Sequence, residues 1–538
     1  MKEITLEKQK KRLENINYAA NAVKKCQKRM RIHDYLPGQV TYNLGPYPAR
    51  FSIEPTEYDY NLIKSFAEAG VGLIQIHEEW NDYLRRFGAD KYSSHDPQGM
   101  KNFIKLCHDF GIKIIPYIST SYLEVNDPDF TMDFMRYEWY LNGTFWKYAS
   151  CSAKSPQWTT YLLNKLRGLL DEYDFDGLYD DTGSEEFAKR DLARRHKDNI
   201  ITSWRDIKYD PEEEDLLARI YALTKEKNGI FKLHYGLNTL PRSDEKLYDY
   251  LWVGESVSDG SDMLDTASFP PYVVPCPDFS TMESQSDRVR VYARSLPFLQ
   301  FPLRTDGRPY EAGKIIGEPD IKYTEGGTLD YYRKMAEYDK AHPNGPYAYS
   351  DWSAIPDDEE YRRLWFHYLD LYKPMVEENN ICHMNVQDST VTMVDLPDNV
   401  YMSMFTGDEV YLCLSNLSER EHTIMFEEKW ENRETGEISD TVTIPVDGLC
   451  FLKKQAVPAS MSRTKLSVNS HIAKKREPPN RRFPLFLNYI FSGNKVRLQE
   501  LSPYLKSHRF LCFPIFPQTL LCVLFQKDWK DKDKLHLR

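Results

Sequence analysis

A (β/α)8 barrel followed by a small all-β sandwich is the architecture this sequence predicts, on three observations. Between Gln39 and Glu378, short β-branched or aromatic runs alternate with longer amphipathic segments, the pattern of repeated βα units. No such run is followed by G-x-G-x-x-G or a P-loop lysine, so an open nucleotide-binding sheet lacks its usual signature. From Ile381 to Leu452 the pattern changes to short alternating runs separated by Asp-Asn and Gly-Asp turns, as in a compact sandwich. The expected divisions are an N-terminal helical segment over 1–37, the barrel over 38–380, the sandwich over 381–454 and a basic tail over 455–538.

The first strand is expected in "GQVTYNLG", followed by a helix in "EPTEYDYNLIKSFAEAG" with Leu62, Ile63, Phe66 and Ala67 on one face and Gly70 as its stop. The second strand is "VGLIQIHEEW". Its helix, "DPQGMKNFIKLCHDFG", opens with Asp96 as N-cap and Pro97 at the first position, and Gly111 lies just past its end. The third strand is "IKIIPYISTSY". After an excursion containing the hairpin-like "WYLNGTFW", Ser155 caps and Pro156 starts a helix that delivers the chain into "FDGLYDDTG", the fourth strand. Strands five and six fall in "IFKLHYG" and "YDYLWVGES". "FLQFPLR" and "YAYSDW" are the candidates for seven and eight, and "DEEYRRLWFHYLDLYKPMVEENN" is the helix that closes the barrel.

The 538 residues, 41% hydrophobic and 14% aromatic, suffice for a sizeable core in more than one domain. With 81 acidic residues against 70 Lys and Arg, there is no electrostatic ground for a nucleic-acid partner. The N-terminal thirty residues are charged throughout and lack the apolar core of a secretory signal, which gives a cytoplasmic expectation. Nine cysteines without a C-x-x-C pair indicate neither a disulfide framework nor a zinc ribbon. From Lys453 onward 18 Lys and Arg face 5 Asp and Glu, a net of +13; as the whole chain carries −11, the body to Leu452 carries −24. The apolar run of the tail is broken by Pro514 and Pro517 and falls short of the about 20 residues that span a membrane. The tail is therefore expected to be a disordered or non-native extension rather than an anchor.

In such a barrel the reactive groups stand at the C-terminal ends of the strands. Strand two ends in His77, Glu78, Glu79 and Trp80, strand three in Ser119, Thr120, Ser121 and Tyr122, and strand four in Asp180 and Asp181. Strand five ends in His234, Tyr235 and Asn238, and strand six brings Glu255. Acids from several strands with aromatics between them suit sugar chemistry. Cleaving a glycosidic bond takes one carboxylate as nucleophile or base and a second, protonated one as acid. Aromatic faces such as those of Trp80, Tyr122, Tyr179 and Trp252 can pack against a pyranose ring.

"FDGLYDDTG" resembles the fourth-strand signature of the TIM-barrel glycoside hydrolases related to α-amylases and α-galactosidases: an aspartate-glycine, a few strand residues, then a catalytic aspartate. "CSAKSPQWTTYLLNKL" is similar to the segment that leads into that strand, and "YDYLWVGES" to the later strand carrying a glutamate. The resemblance spans about 38–380. It implies Asp181 as nucleophile or base, Glu255 as general acid/base and Asp176 as a structural aspartate, with no cofactor. Tyr179 stands where the α-amylase pattern has arginine, and the lysine of the α-galactosidase pattern is absent. No single family is picked out.

Each residue also has a plainer reading. Asp180 and Asp181 suit any strand that meets a turn, and alternation sends Asp180 to the side opposite Asp181. Glu255 suits a loop ion pair. Glu78 and Glu79 are rival carboxylates or sugar ligands, and His77, Asp180, His234 and Asn238 are expected to bind substrate. No H-x-H or H-E-x-x-H accompanies His77, so no metal site is expected. Arg304, Asp306 and Arg308 fit a surface turn or the barrel mouth equally. The leading expectation is a glycosidase acting on a carbohydrate substrate, without nucleic-acid or membrane partners. Its rivals are a carbohydrate-binding barrel without catalysis and, more weakly, a sugar-acid lyase or isomerase with a His or Lys base.

Overall fold

Eight parallel strands form the barrel: β1 (Gln39–Asn43), β2 (Leu73–Ile76), β3 (Lys113–Ser119), β4 (Gly177–Asp181), β5 (Ile230–Tyr235), β6 (Tyr250–Val257), β7 (Val273–Pro277) and β8 (Arg304–Gly307). The structure is a computed structural model. It describes residues 5–455 except 23–25, 31, 33, 46–51, 83–89, 125–126, 143–146, 182–210, 236–246, 258–271, 278–284, 309–313, 316–317, 323–340, 342–358, 377–381 and 387–390, together with 508–516 and 519–526. In some strands, including 253–257, it describes the backbone alone.

The strands are hydrogen-bonded in the order β7-β6-β5-β4-β3-β2-β1-β8. The N–H of Leu303, just ahead of β8, donates to Pro275 O of β7 at 2.7 Å and draws the two edges together. The predicted barrel is thus present.

The intervening helices begin and end for local reasons. In α1 (Glu57–Ala69), Thr56 and Asp59 form a reciprocal capping box and Gly70 ends the helix in the left-handed region at φ 88°. In α2 (Pro97–Asp109) Asp96 accepts from Gly99 N–H at 3.0 Å, and in α3 (Pro156–Glu172) Ser155 accepts from Trp158 N–H at 3.1 Å. Three more helices, α4 (Pro211–Glu226), α5 (Gln285–Ser295) and α6 (Glu359–Val376), follow.

Two aspartates set the parallel register at the N-terminal ends. Asp176, just before β4, donates its N–H to Ile114 O at 2.9 Å and takes the Ile114 N–H on its carboxylate at 2.8 Å. Asp249, just before β6, does the same with Phe231, at 2.7 and 2.9 Å. Gly177 follows Asp176 at φ +147°, and a Cβ there would lie 1.8 Å from Ile230 O, so the close approach of β4 to β5 requires glycine.

Strands seven and eight differ from expectation. Strand seven is "VVPCP", whose two prolines disguise it, and "FLQFPLR" only leads into strand eight, "RTDG". "YAYSDW" lies outside the described residues.

Behind the barrel, Cys382–Val386, Val400–Thr406, Val410–Asn416, His422–Asn432, Ile438–Ile444 and Leu449–Lys454 form an antiparallel sheet, giving the all-β domain. Val410–Asn416 is buried along its whole length because both faces of the sheet are covered. Tyr411 and Cys413 join the barrel core, whereas Leu412 and Leu414 join a separate core. The start of the chain completes this domain. Strand Cys26–Met30 pairs antiparallel with Cys382–Val386, and helix Leu6–Ala22 places Ala19 in the second core. That helix is pinned by Arg12 to Asp408 and by Lys11 to Glu409 at 2.8 Å.

Residues 457–538 form a unit of their own. Within it His508–Phe516 and Thr519–Gln526 pair as an antiparallel hairpin. Among the described residues no helix is long and apolar enough to cross a membrane.

Candidate active site

Strand register builds the site in two levels. Tyr117, Tyr179, Lys232 and Tyr250 are paired side by side along β3, β4, β5 and β6, and two residues further on Ser119, Asp181, His234 and Trp252 are paired in the same way. Alternation gives all of these one face, the barrel interior.

Asp181 stands at the end of β4 with its side chain 30% exposed, and His234 beside it is 15% exposed. The hydroxyl of Tyr117 donates to Asp181 Oδ2 at 2.7 Å, and His234 Nδ1 lies 3.2 Å from Oδ1. Around the carboxylate the rings form a cluster. His234 meets Trp252 edge-on at 4.0 Å, Tyr179 lies 5.7 Å from Trp252, and His77 lies 5.6 Å from Tyr179 and 6.4 Å from Trp252.

Burial dominates the electrostatics beneath the mouth. It pushes the His77 imidazole down to about 3, helped by His234 and Lys232 and opposed by Asp181, so His77 is neutral. It also pushes the Lys232 ammonium down to about 7. Tyr117 is raised well above the ordinary phenol value, first by burial and then by the Asp181 charge, and therefore remains a donor. Trp252 Nε1 and Gln75 Oε1 are buried with no partner among the described residues.

Asp180 lies on the other side of β4. It has no exposed surface, and Thr120 Oγ1 donates to its Oδ2 at 3.3 Å. Burial raises its carboxyl well above the usual range, outweighing Thr120, so it is protonated.

The other expected residues are placed as follows. Glu78, Glu79 and Trp80 form one 3-10 turn after β2, all buried. Trp80 Nε1 donates to Tyr117 O at 3.0 Å, and Tyr173 and Phe175 pack edge-on to its ring, so it serves as core. Glu78 lies close enough to Tyr117 for its charge to act on the phenol. Tyr122 begins a short strand, Tyr122–Glu124, that pairs with Lys147–Cys151 above β3. Glu255 lies on β6 where the ladder to β7 is irregular, between the pairs Val253–Pro275 and Val257–Pro277. The Glu255 side chain and Asn238 lie outside the described residues.

Arg304, Asp306 and Arg308 are held in ion pairs at β8. Arg304 and Arg362 of α6 both donate to Asp306, and Arg308 pairs with buried Asp59 at 2.8 Å, tying the end of β8 to the start of α1.

Sequence reasoning missed Tyr117 and Lys232. In "IFKLHYG" the alternation of Phe and Leu with Lys and His is the signal that would have placed Lys232 inside. Among the described residues no three of His, Cys, Asp and Glu are grouped to hold a metal ion.

No family model matches the chain, and no curated protein matches it. Solved structures with a similar arrangement include the maltogenic α-amylase AmyB from Thermotoga neapolitana, with 13% identity, a TM-score of 0.45 and coverage of 78% of this chain and 100% of that one. The α-glucosyl transfer enzyme XgtA has 14% identity, TM-score 0.48 and coverage of 78% and 99%; Amy13B of Eubacterium rectale has 12%, 0.46, 82% and 98%.

Proposed function

We propose that this chain is a glycoside hydrolase whose substrate is an oligosaccharide or glycoside, with Asp181 as nucleophile or base and Glu255 as general acid/base. The observation that carries the reading is Asp181 itself: a partly exposed carboxylate at a barrel strand end, hydrogen-bonded by Tyr117, with His234 Nδ1 3.2 Å from its other oxygen and His77, Tyr179 and Trp252 in the same ring cluster. Aromatic surface beside a fixed carboxylate suits a pyranose whose anomeric carbon must accept an oxygen nucleophile or an activated water. The buried Trp252 N–H, without a partner among the described residues, suits a sugar hydroxyl.

The test is a screen of aryl glycosides and oligosaccharides on wild type and Asp181→Asn. Wild-type turnover falling at least about a thousandfold in the variant supports the reading. Equal, background-level turnover in both proteins sinks it, and sugar binding retained in that case points to a binding barrel. The other reading is a sugar-acid lyase with a His or Lys base; His77, held at about 3 by burial, is too weak a base to serve it. An unsaturated product in place of a hydrolysed one identifies that reaction.

A further inference from the structure

We infer that Tyr117 and His234 are positioning residues that clamp the Asp181 carboxylate from the two neighbouring strands, fixing its plane. This rests on the reading of Asp181 as the reactive carboxylate. The fourth strand has no side chain of its own that can do this. Tyr179, two residues back on the same face, presents a ring 5.9 Å from that of Tyr117, and Asp180 faces away. The contacts come instead from β3 and β5, whose registers with β4 set Tyr117 one level below Asp181 and His234 level with it.

The two contacts engage different oxygens. Tyr117 Oη–H meets Oδ2 at 2.7 Å, and His234 meets Oδ1 through Nδ1 at 3.2 Å. The hydrogen bond at one oxygen and the imidazole nitrogen beside the other oppose rotation about the Cβ–Cγ bond. A reactive oxygen thus stays aimed at one point, which is the basis of catalysis by orientation. Donors to a carboxylate also favour its charged form.

Three other polar groups described near Asp181 have different roles. His77 is neutral, Asp180 is protonated and faces outward, and Lys232 is engaged with Gln39 at 2.9 Å below. Glu78 acts on the Tyr117 phenol, which its charge helps to keep protonated. The phenol does not ionise in the working range, since burial and the Asp181 charge both raise its pKa.

The experiment compares wild type, Tyr117→Phe, His234→Phe and Asp181→Asn, each checked for native circular dichroism. Two readouts are taken. One is the pH profile of kcat/KM on the best aryl glycoside; the other is labelling of Asp181 by a water-soluble carbodiimide across pH, read by peptide mass spectrometry, because the carboxyl oxygen adds to the carbodiimide carbon as the acid proton passes to its nitrogen, so labelling follows the protonated acid. The clamp predicts that either Phe variant moves the acid limb and the Asp181 labelling midpoint upward together by about one pH unit, a tenfold change in the protonated fraction. Folded variants with an unmoved midpoint overturn it. If wild type shows no glycosidase activity, the labelling midpoint alone decides the clamp, while the hydrolase reading fails by itself. If Tyr117→Phe does not fold, His234→Phe carries the test.

Discussion

Lys232 Nζ on β5 donates to Gln39 Oε1 on β1 at 2.9 Å, joining strands that stand on opposite sides of the barrel. Gln39 passes the link on, donating through Nε2 to Leu36 O at 3.0 Å. The strut is costly. Burial lowers the ammonium to about 7 from 10.5, a penalty on the order of 4 kcal/mol near neutrality. Between about pH 7 and 10.5 the unfolded chain holds the proton and the native chain does not, so this group makes stability rise with pH. Lys232→Met leaves Gln39 Oε1 without its donor, a loss of about 1–3 kcal/mol. The variant should therefore be about 1–3 kcal/mol more stable than wild type at pH 7, with the advantage gone by pH 10. Denaturant unfolding at both pH values checks this; equal slopes of stability against pH in the two proteins would refute it.

Asp180 has the opposite sign. Its folded pKa is raised, so above the ordinary carboxylate range the native chain holds a proton that the unfolded chain has released. That contribution is most favourable below about pH 4 and declines as pH rises toward the folded value. Asp180→Asn, an uncharged group of the same shape, should raise stability at pH 7 by at least about 1 kcal/mol, and the gain should shrink toward pH 4. Thermal melts at the two pH values measure it, and a gain independent of pH would contradict the assignment.

Asp59 shows how a buried carboxylate can instead be held charged. Burial raises its pKa, but Arg308, the Tyr42 hydroxyl at 2.5 Å and the Thr56 N–H outweigh it and the net shift is downward. Its contribution is present above about pH 4 and is lost as pH falls through the folded value. Arg308 also donates to the carbonyls of Leu44, Ser52, Ile53 and Glu54. Asp59→Asn leaves this half-buried guanidinium without its counter-charge and should cost about 2–3 kcal/mol. A loss under about 1 kcal/mol in urea unfolding would show that the pair is not the tie it looks to be.

Gly177→Ala should be the most damaging single methyl in the barrel. The added carbon would meet the Ile230 carbonyl oxygen, and the backbone conformation is foreign to alanine. Failure to accumulate as folded protein, or a loss above about 3 kcal/mol, is expected. Gly436→Ala serves as the comparison: its φ is also positive, at 73°, but nothing crowds its Cβ, so the cost there should stay near 1 kcal/mol.

Sequence was most informative where local chemistry and long-range structure agree. Thr56, Asp96 and Ser155 cap their helices, Gly70 stops one, and the first six barrel strands lie in the runs that read as strands. Strand seven was hidden because Pro275 and Pro277 argue against any strand by local rules, yet at the edge of the hydrogen-bonded ladder a missing N–H is tolerated. Residues 26–30 read as part of a separate charged segment because their partner lies some 350 residues away, a pairing that leaves no local trace. At the site, Asp181, His234, Tyr179, Trp252 and His77 were legible as strand-end residues. Tyr117 was not, because in "IKIIPYIS" an aromatic reads as one more apolar strand residue and only the register with β4 brings its hydroxyl to Asp181.

The pairing of Cys26–Met30 with Cys382–Val386 has a consequence for how the protein is made. A ribosome that has just finished the barrel has long since released the first helix and strand, while the sheet that receives them is still being synthesised or is inside the exit tunnel. At about 5–20 residues per second the early segment waits tens of seconds for its partner. During that wait its edge and the apolar side of its helix are open to chaperones, or to the wrong nascent chain.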